Sequence, residues 1–274
     1  TGRVTTQSQP TIGVFDSGLG GLSVLGALAA ECPSAHLVYA ADTAHVPYGN
    51  KTPAQIRARV LAMGQALINE GCTTLVVACN TATAEAIEAL RAAHPNIPIV
   101  GVEPGIKPAA LNTQSGQIAV LATAATAKSQ RLAQLIARHA PHKTVHIIPC
   151  HGWATEVEAL HPSSPAIIKE IELLLLPLID QGVDQVVLGC THYDFLAPTL
   201  SRLIGGKAQL VGVAGAVARR ACQVSGAATL TTTQGNIRLV ATANPERLTA
   251  ALPALGLNAL SARLSKSAQL MVAD

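Results

Sequence analysis

Residues 179–192 read IDQGVDQVVLGCTH, and residues 68–81 read INEGCTTLVVACNT. The two segments align without a gap: an Ile, a Gly, a Val and a Cys are identical, and the aliphatic run before the cysteine matches in kind. Each segment has the pattern of a helix end, a glycine turn, a buried strand and a cysteine at the end of that strand. The sequence therefore predicts a duplicated α/β unit.

Aliphatic runs alternate with helix-like stretches on both sides of these segments. Continuous Val, Ile and Leu runs that are each followed by a helical pattern are typical of parallel strands buried on both faces. The predicted strands are residues 11–16, 36–42, 73–79, 97–103, 117–123, 144–150, 184–190 and 237–243. The predicted helices are residues 22–31, 53–71, 81–94, 127–139, 164–181 and 245–256.

We therefore expect an α/β fold of two pseudo-symmetric domains, each with a mostly parallel central sheet flanked by helices, and an active site in the crevice between them. Turn-prone stretches at residues 103–105 and 212–215 suggest the boundaries. The C-terminal strand and helix could complete either half. We assign residues 1–104 plus 214–274 to the first domain and residues 105–213 to the second.

Composition limits the classes of partner. The net charge of +3 is spread thinly, without the basic stripe that nucleic-acid binding requires. The longest apolar run, residues 173–179, is short for a membrane span and contains Pro177, and the polar residues 1–10 lack a signal-peptide core. We expect a cytoplasmic protein that binds neither nucleic acid nor membrane.

The cysteines are far apart and include no CxxC pair. This spacing in a chain of 274 residues favours reduced thiols over a disulfide framework or a structural zinc site. Most are expected to be small buried hydrophobes, so any other role must show in their position. The six are Cys32, Cys72, Cys79, Cys150, Cys190 and Cys222.

Polar clusters follow several predicted strands, at the carboxyl ends where open parallel sheets bind ligands. A cysteine that also opens a helix has its thiolate favoured by the helix dipole, and Thr81 is a plausible N-cap for the helix after Cys79. The clusters are Asp16-Ser17-Gly18, Cys79-Asn80-Thr81, Cys150-His151-Gly152 and Cys190-Thr191-His192.

Two thiols in duplicated positions suit a two-base racemase. Inversion of a stereocentre that bears hydrogen needs one group to remove the proton and a second to donate a proton to the opposite face. Cysteine, with a reference pKa of about 8.5, can serve in both roles near neutral pH when a helix start lowers that value.

Several motifs resemble those of the glutamate racemases, within the aspartate/glutamate racemase superfamily. They are IGVFDSGLGGLSVL (12–25), ADTAHVPYGNKT (41–52), VVACNTATA (76–84), GVEPGIKPA (101–109) and VVLGCTHYDFL (186–196), in the order of the family. The resemblance implies a racemase that needs no cofactor and no metal and supplies D-glutamate for bacterial peptidoglycan. It also implies two pseudo-symmetric domains that each contribute a catalytic cysteine, and a possible homodimer.

The resemblance also implies roles for individual residues. Cys79 would be the base for D-glutamate, supported by Asp16, and Cys190 the base for L-glutamate, supported by His192. A further carboxylate is expected at Glu158, with Glu156 as a competitor. Contacts with the substrate, L- or D-glutamate, are expected from Asp16, Ser17, Pro47, Tyr48, Gly49, Asn80, Thr81, Thr123, Thr126, Thr191 and His192.

Other readings remain open. The nearest alternative is a racemase for aspartate or another amino acid. Gly18-Leu19-Gly20 with Asp42 could bind a dinucleotide, although Ser23 replaces the third glycine and Asp16 would face the pyrophosphate. A thiol hydrolase would need only one of the cysteines, and a binding protein could keep the pocket without catalysis. A metal module would use Cys150, His151, Cys190 and His192.

Overall fold

The computed structural model describes residues 9–227 and 233–274. The prediction that the polar N-terminus lacks a signal-peptide core falls on residues 1–10, of which residues 1–8 lie outside the described part. Residues 1–8 and 228–232 of the predicted first domain lie outside it as well. None of the described helices combines the length and the apolar character that crossing a membrane requires.

The strands form two sheets in which the recorded pairings are parallel. They are β1 (Thr11–Asp16), β2 (His36–Ala41), β3 (Thr74–Val77), β4 (Ile99–Gly101), β5 (Gln117–Ala122), β6 (Thr144–Pro149), β7 (Gln185–Leu188), β8 (Gln209–Val211), β9 (Ile237–Ala241) and β10 (Gln269–Leu270). The strand order is β10-β9-β2-β1-β3-β4 in the first sheet and β6-β5-β7-β8 in the second. The order β2-β1-β3-β4 is repeated as β6-β5-β7-β8, so β3 and β7 occupy equivalent places.

Helices flank both sheets. They are α1 (Leu22–Glu31), α2 (Pro53–Asn69), α3 (Asn80–Ala93), α4 (Ile106–Asn112), α5 (Ala124–Ala127), α6 (Gln130–His139), α7 (Trp153–Glu158), α8 (Pro165–Glu170), α9 (Leu176–Asp180), α10 (Ala197–Ile204), α11 (Ala214–Ser225), α12 (Glu246–Ala254) and α13 (Asn258–Ser261). Short 3₁₀ segments cover Thr43–His45, Tyr48–Asn50 and Thr191–Leu196. The predicted α/β fold with two parallel, helix-flanked sheets is confirmed.

The strand β1 shows why continuous aliphatic runs form the centre of the sheets. Ile12 and Val14 pack on one face, in the cluster that includes α1, while Phe15 packs on the other, with α2 and α3. A strand covered by helices on both faces buries every side chain, so it needs no polar alternation. The sequence did not decide which half the C-terminal strand completes. That strand is β9, and it pairs with β2 in the first sheet.

The helix predicted at residues 164–181 is interrupted. A π-helical turn at Ile171–Leu175 separates α8 from α9. Pro177 has no N–H to donate to the preceding turn, and its ring crowds the carbonyl four residues earlier, so a regular α-helix cannot pass through this point.

The expectation that all cysteines are reduced thiols is wrong for Cys32 and Cys222, which form a disulfide in the structure with their Cα atoms 5.7 Å apart. Cys32 follows α1 and Cys222 lies in α11, and these two helices pack together. The pair is 190 residues apart in sequence, so its proximity is a product of the tertiary fold. Cys72, Cys79, Cys150 and Cys190 are free and buried.

Candidate active site

The carboxyl ends of β1 and β3 in the first sheet and of β5 and β7 in the second face one cavity of about 340 Å³. A crevice at this edge is where open parallel sheets bind ligands. The structure brings every residue predicted for the site to its lining: Asp16, Ser17, Pro47, Tyr48, Gly49, Cys79, Asn80, Thr81, Thr123, Thr126, Glu158, Cys190, Thr191 and His192.

Cys79 is both a wall of the cavity and the N-cap of α3. Its Sγ accepts a hydrogen bond from the N–H of Ala82 at 3.4 Å. The prediction of Thr81 as the N-cap is wrong, because the helix begins directly after Cys79 and Thr81 lies inside its first turn. Burial raises the pKa of Cys79, and the charge of Asp16 adds to the effect, while the Ala82 amide opposes it. The resting form of this group is therefore a thiol.

Asp16 has one carboxylate oxygen satisfied by its own loop and one left over. Oδ2 accepts hydrogen bonds from the N–H of Gly18 at 3.2 Å and of Gly21 at 3.1 Å. Oδ1 is buried and finds no partner within the described part of the chain, and the same holds for Oδ1 of Asn80. Burial raises the pKa of Asp16, although the charge of His192 and the loop amides oppose it. Two unpaired acceptors in the wall of one cavity indicate a ligand that brings hydrogen-bond donors.

Cys190, His192 and Glu158 form a hydrogen-bonded chain. Sγ of Cys190 lies 3.5 Å from Nδ1 of His192, and Nε2 of the same ring lies 2.5 Å from Oε1 of Glu158. Burial of the ring opposes its charge, but Cys190 and Glu158 outweigh this and hold the pKa of His192 well above its ordinary value. A protonated His192 can donate to both neighbours.

Glu158, rather than Glu156, is the carboxylate that reaches the cavity. Gly152, with φ of 79°, turns the chain into α7, and Glu158 is the last residue of that helix. Its Oε1 also accepts the N–H of Leu19 at 2.7 Å. Burial would raise the pKa of Glu158, yet its bonds to His192 and Leu19 hold that pKa below its ordinary value.

The glycines of the DSGLGG loop allow this approach. A Cβ on Gly18 would overlap the Glu158 carboxylate, and a Cβ on Gly20 would lie 2.5 Å from Nδ1 of His192. The loop amides of Gly18, Leu19 and Gly21 already donate to Asp16 and Glu158. A pyrophosphate would have to compete with two carboxylates for these donors, so the geometry does not favour the dinucleotide reading.

Some lining residues were not among the predicted substrate contacts. Cys150 and His151 line the cavity, from the polar cluster that follows β6, although Cys150 was expected to be a small buried hydrophobe. Thr155 lines it as well, and no strand-end signal marks this residue because it lies inside α7. The proposed metal set of Cys150, His151, Cys190 and His192 therefore shares one cavity. Within residues 9–227 and 233–274, however, no three His, Cys, Asp or Glu side chains are arranged to hold a metal ion.

Comparison with known proteins gives the family. Residues 12–221 match the Asp/Glu/Hydantoin racemase model. The chain belongs to this racemase family. It is 43% identical over 246 residues to the glutamate racemase of Pseudomonas aeruginosa. This alignment covers 89% of this chain and 93% of that protein. It is 41% identical over 254 residues to the glutamate racemase of Ralstonia nicotianae, with 92% and 91% covered.

The fold agrees with the same family. The Escherichia coli glutamate racemase, solved with L-glutamate and the activator UDP-MurNAc-Ala, superposes with a TM-score of 0.82 at 31% identity and covers 96% of this chain and 98% of its own. The match spans both sheets, so their arrangement is shared with that structure. The resemblance predicted from the sequence motifs is confirmed.

The two thiols of this racemase-family site differ in their electrostatic support. Cys190 lies beside a histidine whose positive charge is favoured, whereas Cys79 lies beside Asp16, whose pKa burial raises and whose charge raises the pKa of Cys79. The two are close enough for Cys190 to raise the pKa of Cys79 electrostatically. The site thus places a cationic donor beside one thiol and a carboxyl group beside the other.

Proposed function

We propose that this chain is a cofactor-independent glutamate racemase that interconverts L- and D-glutamate through two cysteines. The observation that carries the proposal is the placement of Cys79 and Cys190 at equivalent strand ends on opposite sides of one cavity. The glutamate racemases of Pseudomonas aeruginosa and Ralstonia nicotianae support glutamate as the substrate.

In the L-to-D direction the Cys190 thiolate removes the α-proton of L-glutamate and becomes a thiol. The electron pair left on the α-carbon delocalises into the adjacent carboxylate. The Cys79 thiol then delivers its proton to the opposite face of that carbon and becomes a thiolate. The enzyme is left in the mirror protonation state, which starts the D-to-L direction. His192 and Glu158 stabilise the charged form of Cys190, and Asp16 shifts the balance between the thiol and the thiolate of Cys79.

The polar lining supplies complementary groups for the rest of the substrate. Oδ1 of Asp16 and of Asn80 are acceptors for the α-ammonium. Donors for the two carboxylates come from the hydroxyl and backbone N–H groups of Ser17, Thr81, Thr123, Thr126 and Thr191. Tyr48 and Gly49, preceded by Pro47, form the remaining wall.

The decisive experiment is incubation of the purified protein with L-glutamate in heavy water without added cofactor. Circular dichroism follows loss of optical activity, and proton NMR follows replacement of the α-hydrogen by deuterium. We expect the optical activity to fall to that of the racemic mixture, and deuterium to replace the α-hydrogen. Folded protein that exchanges the α-hydrogen of neither enantiomer would refute the proposal and leave a binding protein as the alternative.

Two variants test the mechanism separately. Cys79→Ser and Cys190→Ser should each reduce racemisation by at least about 100-fold, the usual contribution of a positioned acid or base. Full activity in either variant contradicts the two-thiol mechanism while leaving the racemase assignment intact. A parallel assay with aspartate identifies the nearest alternative substrate.

The setting of the enzyme is also part of the proposal. We place it in the cytoplasm, as a homodimer that supplies D-glutamate for peptidoglycan. The division into residues 1–104 plus 214–274 and residues 105–213 is supported by the two sheets and by α11, which packs in the first core. Sedimentation analysis tests the dimer, and D-glutamate auxotrophy of a deletion strain tests the role in the cell.

A further inference from the structure

A buried carboxylate outside the predicted site anchors one wall of the cavity. Asp42 directly follows β2 and is fully buried. Its Oδ2 accepts from the Tyr48 hydroxyl at 2.6 Å and from Nε of Arg59 at 2.9 Å. Its Oδ1 accepts from an Arg59 terminal nitrogen at 3.0 Å and from the Thr242 hydroxyl at 2.9 Å. Four hydrogen bonds use the full acceptor capacity of a carboxylate.

These partners come from separate elements. Tyr48 belongs to the 3₁₀ turn Tyr48–Asn50, Arg59 to α2, and Thr242 follows β9. The same Thr242 hydroxyl accepts the N–H of Ala44, at the start of the loop that leads to Tyr48. Arg59 also donates to the carbonyl of Ala273 at 2.8 Å, near the C-terminus.

Tyr48 lines the cavity, and its hydroxyl donates to Asp42, which does not line it. Burial and the charge of Asp42 raise the pKa of Tyr48, so the phenol stays protonated and remains a donor. The position of the wall formed by residues 46–50 therefore depends on a hydrogen bond directed away from the cavity.

We propose that Asp42 and Arg59 are positioning residues, which fix the loop 46–50 through Tyr48 in the geometry that binds the glutamate substrate. This inference rests on the proposed racemase function. Arg59 supplies the positive charge and two of the four donors that keep Asp42 in place, and Asp42 holds the phenol. Neither residue lines the cavity, so both act through Tyr48 and its neighbours.

The least disruptive test is Tyr48→Phe, which removes only the hydroxyl. With the hydrogen bond to the charged Asp42 lost, we expect KM for both enantiomers to rise about tenfold, while kcat changes by less than about twofold. Arg59→Met removes the cation and should raise KM further, with a lower melting temperature. If Arg59→Met fails to fold, Tyr48→Phe decides alone.

A matched control separates positioning from stability. Arg263 also connects distant segments, donating to the backbone carbonyls of Ala29, Pro33 and Gly235 away from the cavity. Arg263→Met should lower the melting temperature and leave KM unchanged. A purely structural role for the Asp42 network predicts the same behaviour for Tyr48→Phe, and that result would overturn the proposal.

Calorimetric binding of D-glutamate distinguishes failure of this inference from failure of the proposed function. Active wild-type protein with unchanged KM and Kd in Tyr48→Phe refutes the positioning role alone. Wild-type protein that binds glutamate without racemising it refutes the function, and a weakened Kd in Tyr48→Phe still supports the positioning. Wild-type protein that does not bind glutamate refutes both.

Discussion

His192 lies between a thiol and a carboxylate, and its proton is the group that links them. Because the pKa of His192 is raised, its imidazolium persists as pH rises and is lost only when pH passes that raised value. Because the pKa of Glu158 is lowered, its carboxylate persists as pH falls until that lowered value is reached. The ion pair between the His192 imidazolium and the Glu158 carboxylate is therefore complete in the pH range between the two.

Replacing Glu158 by Gln tests this chain of groups. The change removes the negative charge that helps to raise the pKa of His192, so the alkaline limb of the kcat/KM profile should move to lower pH. The value of kcat/KM should also fall about 10- to 100-fold, the cost of a lost hydrogen bond between charged groups. The two enantiomers have equal free energy in solution, so both directions must show the same kcat/KM profile.

The control is Glu156→Gln, on the same helix but outside the cavity lining. It should reproduce the wild-type profile. An unshifted alkaline limb in Glu158→Gln would show that His192 does not depend on this carboxylate.

The glycine-rich loop between β1 and α1 is a contact surface for the second sheet. Gly20 faces His192 and Thr191 so closely that a methyl group would lie 2.5 Å from Nδ1 and 2.7 Å from Oγ1. The glycines therefore allow two polypeptide segments to come into close contact, and are not there to admit a phosphate.

Gly20→Ala should displace His192 and lower kcat/KM about 10- to 100-fold, since small misplacements of catalytic groups are costly. The effect on folding should be small, because the crowding falls on side chains at the edge of a cavity. Gly26→Ala is the control: Gly26 lies inside α1, and its added methyl group would lie 3.3 Å from the Leu257 side chain, away from His192. Wild-type activity in Gly20→Ala would mean that the loop yields and that the contact is not restrictive.

The sequence predicted the elements that carry long apolar runs and missed those that do not. The helix α1 has the predicted bounds, and β1 does too. The missed strands, β8 and β10, are short edge strands with exposed or half-exposed residues, so no continuous aliphatic run marks them.

The same limit applies to the candidate site. The strand-end rule predicted Cys79 and Cys190 because their place depends on local strand and turn signals. It could not predict the role of Asp42, whose partner Arg59 lies 17 residues away on another element. It also could not choose between Glu156 and Glu158, because the direction of α7 depends on the turn at Gly152 and on tertiary packing.

The disulfide Cys32–Cys222 joins the end of α1 to the helix α11. A link across a long loop typically contributes about 2–4 kcal/mol by restricting the unfolded chain. In a reducing cytoplasm the same two residues are expected as thiols. The oxidised protein should therefore be more stable than the reduced one, with unchanged activity because the pair lies away from the cavity.

Urea unfolding with and without dithiothreitol measures this difference. Oxidised, unfolded protein should show four reactive thiols. The double variant Cys32→Ala/Cys222→Ala should lose sensitivity to the reductant, whereas Cys72→Ala should keep it. Titration of six thiols in air-oxidised protein would contradict the pairing.

The two sheets also depend on each other through contacts that flank the cavity. Arg247 of α12, which packs in the first core, donates to the carbonyl of Glu158 at 2.7 Å. Glu158 ends α7, which packs in the second core. A guanidinium at the end of a helix pairs with the last carbonyls of that helix. Arg247 therefore fixes the backbone of Glu158, while the N–H of Leu19 fixes its carboxylate.

Arg247→Met should therefore lower kcat/KM about 5- to 10-fold, because one hydrogen bond that fixes Glu158 is lost while its carboxylate remains. Fluorescence of Trp153, the single tryptophan and the first residue of α7, should change with it. Arg238→Met is the matched control, since Arg238 pairs with Glu70 on an exposed surface away from the cavity. Equal kcat/KM and fluorescence in both variants would show that α7 keeps its position without α12, and that the first sheet holds Glu158 through the glycine loop alone.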